Sequence, residues 1–114
     1  MAMKQFDEET AKQIQELQVF EQNMQNLLLQ KQAFQIESSE TENALEELKK
    51  SSDDVYRIVG QIMIKTKKQD LEKDLKQRKE ILDLRLKSLA KQEQFLKENL
   101  DKKREEIMKK IQPT

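Results

Sequence analysis

In a chain of 114 residues where charged side chains (39%) outnumber hydrophobic ones (35%), a thick core is excluded and a two-helix seam is about what can be buried. The 22 basic and 22 acidic residues cancel, and the heptads described below argue against disorder, which goes with net charge, Pro/Gly richness or lost periodicity. With no Cys and no His, disulfides, thiolate chemistry, the usual zinc sites and imidazole bases are removed, which predicts an intracellular protein without cofactors.

The N-terminus Met1-Ala2-Met3-Lys4-Gln5-Phe6 lacks the apolar core of a signal peptide. No apolar run approaches the ~20 residues of a membrane span. The expectation is a soluble, cytoplasmic chain with no membrane partner.

From Met3, alternating steps of three and four give Met3, Phe6, Thr10, Gln13, Leu17, Phe20, Met24, Leu27, Lys31, Phe34, Ser38, Thr41, Leu45 and Leu48. Nine of these fourteen are apolar. A stripe repeating every 3.5 residues on average winds a helix around a partner in a left-handed coiled coil. The first helix is expected over about residues 5–51, stopping where Ser51-Ser52-Asp53-Asp54 compete for backbone hydrogen bonds.

The only glycine, Gly60, lies in Val55-Tyr56-Arg57-Ile58-Val59-Gly60-Gln61-Ile62-Met63-Ile64-Lys65. Glycine reaches positive φ without steric cost, so Gly60-Gln61 fits a type II′ turn between two β-branched runs, a hairpin over about 55–65. In that register Val55, Arg57, Val59, Ile62 and Ile64 share one face, and Tyr56, Ile58, Met63 and Lys65 the other. Neither face is clearly polar.

The second helix, expected over about 67–112, carries Leu75, Lys79, Leu82, Leu86, Leu89, Glu93, Leu96, Leu100, Lys103 and Ile107, with Leu71 leading in and Ile111 trailing. Thr66 is read as its N-cap, with Gln69 completing a capping box. A short bend makes the ~65 Å arms antiparallel. Facing residue numbers then add to about 120. Lys31 and Glu93 fall on the seam within about one turn of each other; an ion pair that fixes register and snorkelling to solvent both stand as readings.

A lone two-stranded hairpin is marginal in water, and this one leaves two unpaired edges and several apolar side chains exposed. Pairing with hairpins of other chains into closed barrels removes both problems. Folding back onto its own coil ends, the alternative, leaves the edges open.

The stretch VYRIVGQIMIK, followed by TKKQDLEKDLKQRKEILDLRLKSLAKQEQFLKENL, resembles the hairpin and second helix of a β-type prefoldin subunit, archaeal or eukaryotic. The matching residues are Val55, Tyr56, Arg57, Gly60, Ile62, Ile64 and Lys65 in the hairpin, and Leu82, Arg85, Leu89 and Glu93 in the helix. The Gln-rich first helix, with Lys31-Gln32 and Ala44-Leu45-Glu46-Glu47-Leu48, also suits the family, so the resemblance spans nearly all of residues 1–114 as a single domain. Gln61 stands where many members carry proline.

The resemblance implies a mainly α fold, a long antiparallel coiled coil with a β-hairpin at its bend. It implies a heterohexamer of two α-type and four β-type subunits whose hairpins form a β-barrel platform. Val55, Tyr56, Ile58, Val59, Gly60, Ile62, Met63 and Ile64 would make this chain's share of that platform. It further implies an ATP-independent co-chaperone that captures non-native polypeptides and delivers them to a group II chaperonin. Candidate client-binding residues toward the arm tips are Met3, Phe6, Ile14, Ile107, Met108 and Ile111, with Val19 and Phe95 adding apolar area. Ordinary coil packing is the competing reading for these positions.

Nothing in the residues suggests catalysis. Gly60 is not followed by a Lys-Ser/Thr pair, so no phosphate cradle is visible. Carboxylate pairs such as Glu46-Glu47 lack the burial that separates pKa values. The basic clusters are interleaved with acids and lack aromatic stacking residues, which argues against nucleic acid. A structural coiled-coil adaptor or tether is the alternative function, although a tether needs only a polar turn.

Overall fold

The computed structural model describes residues 8–52 and 54–111. Met3, Phe6 and both outer ends of the expected helices lie outside them. In chain order the elements are α1 (Glu8–Lys50), β1 (Asp54–Val59), β2 (Ile62–Lys67) and α2 (Lys68–Ile111), two long helices joined by an antiparallel hairpin.

Gln, Glu, Lys and Leu dominate both helices and lose little rotamer freedom there. Glu8 and Glu9 open α1 and Lys49 and Lys50 close it, each sign matched to the helix dipole. Ser51 ends α1 by donating both its hydroxyl (2.8 Å) and its backbone N–H (3.2 Å) to the Leu48 carbonyl.

β1 and β2 pair from Asp54↔Lys67 to Val59↔Ile62, leaving Gly60 and Gln61 as a two-residue turn. Gly60 has φ +63°, and no other described residue has positive φ. That sign pattern matches type II′ and excludes type I′, which needs positive φ at both turn positions. Thr66 is not an N-cap: it sits in the ladder opposite Val55, and Lys67 opposite Asp54, so pairing runs up to the first residue of α2 at Lys68. A β-branched threonine fits the pleat, and cross-strand pairing wins over the local cap.

The described chain divides into two compact units, residues 8–30 with 89–111, and Lys31–Ser88. In both, every described position of the expected seam is buried or half-buried.

In the unit Lys31–Ser88, Leu45, Leu48, Val55 and Leu82 form the core. Ser38 and Thr41, also buried, are small enough to sit on the seam and have satisfied hydroxyls: Ser38 donates to Asp83 (3.2 Å) and Thr41 to the Glu37 carbonyl (2.8 Å). The Arg85 guanidinium lies 5.5 Å from the Phe34 ring centre. Arg78 pairs with Glu37, and Lys79 reaches out of the seam to Asp83 (3.4 Å) and Glu42 (3.7 Å).

In the unit of residues 8–30 and 89–111, Leu27, Leu89, Leu100 and Ile107 are buried, with Thr10 beside them. Lys103–Glu16 (2.6 Å), Arg104–Glu21 (3.3 Å) and Lys110–Glu9 (3.4 Å) link the helices. These five inter-helix pairs, Arg78–Glu37 and Lys79–Glu42 included, draw the acid from α1 and the base from α2, and their residue numbers add to between 115 and 125. Antiparallel pairing in both units therefore follows the expected register. Solvent screens exposed pairs, so they contribute little, whereas each buried leucine contributes about 1.5–3 kcal/mol; the pairs tune register and the apolar seam holds the helices.

Candidate functional site

The hairpin carries the largest concentration of exposed apolar side chains. Ile58 (70% exposed), Met63 (66%) and Ile62 (64%) lead, and Tyr56, Val59 and Ile64 are also exposed. The register places Ile58 opposite Met63 and Tyr56 opposite Lys65 on one face, Val59 opposite Ile62 and Arg57 opposite Ile64 on the other. Both faces are therefore apolar and open, as the alternation anticipates.

Val55 is the exception among the expected platform residues. At 7% exposure it is already buried within its own unit, so it anchors the hairpin base instead of presenting a surface. Two polar contacts reinforce that base. Arg57 Nη2 donates to Asp74 Oδ2 at 2.8 Å, tying β1 to α2, and Lys68 Nζ donates to the Ser51 carbonyl at 3.1 Å, joining the start of α2 to the end of α1. The Arg57–Asp74 pair was not anticipated. No signal in the sequence pointed to it, because an exposed Arg57 is solvated by water and needs no carboxylate partner.

The expected client-binding positions that are described differ in exposure. Met3 and Phe6 lie outside the described residues. Ile14 and Ile111 are half-buried. Ile107, at 6% exposure, is a seam residue, while its neighbour Met108 is 50% exposed. Val19 and Phe95 are more exposed than any of these. Off-seam Leu29, Ile36, Ile81 and Leu84 are exposed as well; the seam reading passed over them because they lie outside its 3.5-residue rhythm.

In the unit of residues 8–30 and 89–111, Lys103 donates a hydrogen bond to Glu16 and adds its charge, holding the Glu16 carboxyl below the usual glutamate range. The same hydrogen bond raises Lys103 above the ordinary lysine range. A depressed Glu16 contributes stability above its unfolded pKa that is lost as pH falls. A raised Lys103 contributes stability below its unfolded pKa that is lost as pH rises through the folded value. Thermal melts of Glu16→Gln should therefore show a slightly shallower loss of stability below about pH 4.3 and above about pH 10.4 than the parent chain, and little difference in curvature between. Identical pH profiles for parent and variant would remove the pair from the stability balance.

Among the described residues no group of three or more His, Cys, Asp or Glu is arranged to hold a metal ion, and no helix is long and apolar enough to cross a membrane.

Comparison with known proteins places this architecture. The family described as "Prefoldin subunit" matches residues 11–114. The chain is 41% identical over 103 residues to prefoldin subunit beta of Methanosarcina acetivorans, covering 89% of this chain and 88% of that one. It is 34% identical over 102 residues to prefoldin subunit beta of Archaeoglobus fulgidus, covering 88% of each. Its structure matches the crystal structure of the prefoldin beta subunit from Thermococcus strain KS-1 with a TM-score of 0.87 at 32% identity, covering 98% of this chain and 100% of that one. With nearly all of α1, the single hairpin and α2 inside the residues matched by the family, the chain belongs to the prefoldin family, among its β-type subunits.

Proposed function

We propose that this non-enzymatic chaperone subunit works in the cytoplasm in a heterohexamer of two α-type and four β-type subunits. There it captures non-native polypeptides without ATP and delivers them to a group II chaperonin. The observation that carries the reading is the hairpin, apolar on both faces and exposed at Tyr56, Ile58, Val59, Ile62, Met63 and Ile64. Two strands alone neither bury such side chains nor satisfy their outer edges, and pairing with partner hairpins does both. A tether gains nothing from that surface.

Client capture is assigned to the unit of residues 8–30 and 89–111, where Val19, Phe95 and Met108 are exposed and Ile14 and Ile111 half-buried. Scattered apolar and methionine side chains on a polar helical scaffold suit many unfolded sequences rather than one shaped ligand.

The test is reconstitution with an α-type subunit, then light scattering of a denatured protein diluted into buffer without nucleotide. Suppression near one complex per client is expected. Undiminished aggregation, with the complex shown to be assembled, would favour the tether.

A further inference from the structure

Met63 combines two properties that no other described methionine has together. Its side chain is 66% exposed, and it sits in the hairpin, paired across the strands with Ile58. Met24 is half-buried in the seam, and Met108 is exposed but lies in the other unit. We propose that Met63 is an oxidation site that gates assembly, so that a free chain oxidised there is excluded from the complex. The proposal rests on the reading of the hairpin as the assembly surface.

The chemistry is a single oxygen transfer. The Met63 thioether attacks one oxygen of hydrogen peroxide, the S–O bond forms as the O–O bond breaks, and the departing hydroxide takes the proton of the new S–OH group to leave as water; sulfur is oxidised and peroxide reduced. The product replaces an adaptable apolar side chain with a polar one that needs a hydrogen-bond donor when buried. Its surroundings offer poor ones. The opposite residue is Ile58, backbone groups between the strands are engaged in the ladder, and Lys65, two residues along the same face, is held by Asp54 at 3.3 Å; the Tyr56 hydroxyl, diagonal to Met63 at the end of a rigid ring, is the one other side-chain donor on that face of the ladder near it. A sulfoxide at Met63 is tolerated on the open hairpin and penalised once a partner covers it. Because sulfoxides are reducible by dedicated reductases, the exclusion is reversible. Assembly covers the sulfur in turn, so the free subunit is the sensitive form.

The experiment treats the free full-length chain with hydrogen peroxide, locates the added oxygen by peptide mass spectrometry, and measures native mass after mixing with an α-type subunit. Met63→Leu and Met108→Leu run in parallel. Oxidised parent and oxidised M108L should remain largely unassembled, whereas oxidised M63L should assemble as the untreated chain does. In the preformed complex, Met63 should oxidise several-fold more slowly than in the free chain, with Met108 little changed. Normal assembly of a chain fully oxidised at Met63 overturns the proposal, and so does equal loss of assembly in oxidised M63L. If Met63 oxidises equally fast in free and assembled chains, the hairpin is not covered and the assembly reading itself falls.

Discussion

Replacing Ile58 and Ile62 together with Asp is expected to dissociate the complex into free subunits while the helices stay largely intact. The two side chains sit on opposite hairpin faces, because Ile58 pairs with Met63 and Ile62 with Val59, so a lone hairpin cannot shelter both. At 70% and 64% exposure they contribute little to the fold of the free chain. The cores that hold the helices, Leu45, Leu48 and Leu82 in one unit and Leu27, Leu89, Leu100 and Ile107 in the other, are untouched. On assembly each isoleucine gives up about 1.5–3 kcal/mol of burial when removed, and each new carboxylate adds a desolvation cost of several kcal/mol. Together these exceed the ~4 kcal/mol that separates a micromolar from a nanomolar complex. Native mass by light scattering should fall to that of single chains, with helical circular dichroism within about a tenth of the parent value. An unchanged mass in the double variant would rule out the hairpin as the assembly surface.

The second large effect concerns capture. Deleting residues before Gln13 and after Leu100 should leave assembly in place and sharply reduce suppression of aggregation. The deletion removes Thr10, Ile107, Met108 and Ile111 and the pairs Lys103–Glu16, Arg104–Glu21 and Lys110–Glu9. It leaves the hairpin with its anchors: Val55, the Arg57–Asp74 pair and the Lys68–Ser51 contact. Chain ends can be trimmed without cost to distant packing when their contacts are their own. Native mass should drop only by the deleted residues, and at equal complex concentration most of the protection should disappear. Full protection by the trimmed complex would take Met108 and Ile111 out of the capture surface and leave it to residues that remain, Val19, Phe95 and Ile14 or the off-seam Leu29, Ile36 and Leu84. The two experiments separate the roles: one variant loses assembly, the other capture.

What the sequence determined by itself was periodic and local. The run from Thr10 to Leu48 and its counterpart from Leu71 to Ile111 set which helix faces are covered, because burial repeats with the helix turn and needs no knowledge of distant residues. Gly60 set the turn, since among the described residues it alone takes the positive φ that a II′ bend requires. Two β-branched runs on either side of that turn then fixed which side chains share each hairpin face.

Tertiary structure decided whatever depends on groups far apart in the chain. Thr66 carries the local signature of a helix cap and is claimed by the strand because Val55 lies opposite it. Val55 is covered at the hairpin base while Val59, beside the turn, is not. Arg57 finds Asp74 seventeen residues away. Glu16 settles on Lys103 among many cations of like chemistry, a choice of distance and register that only the paired helices make.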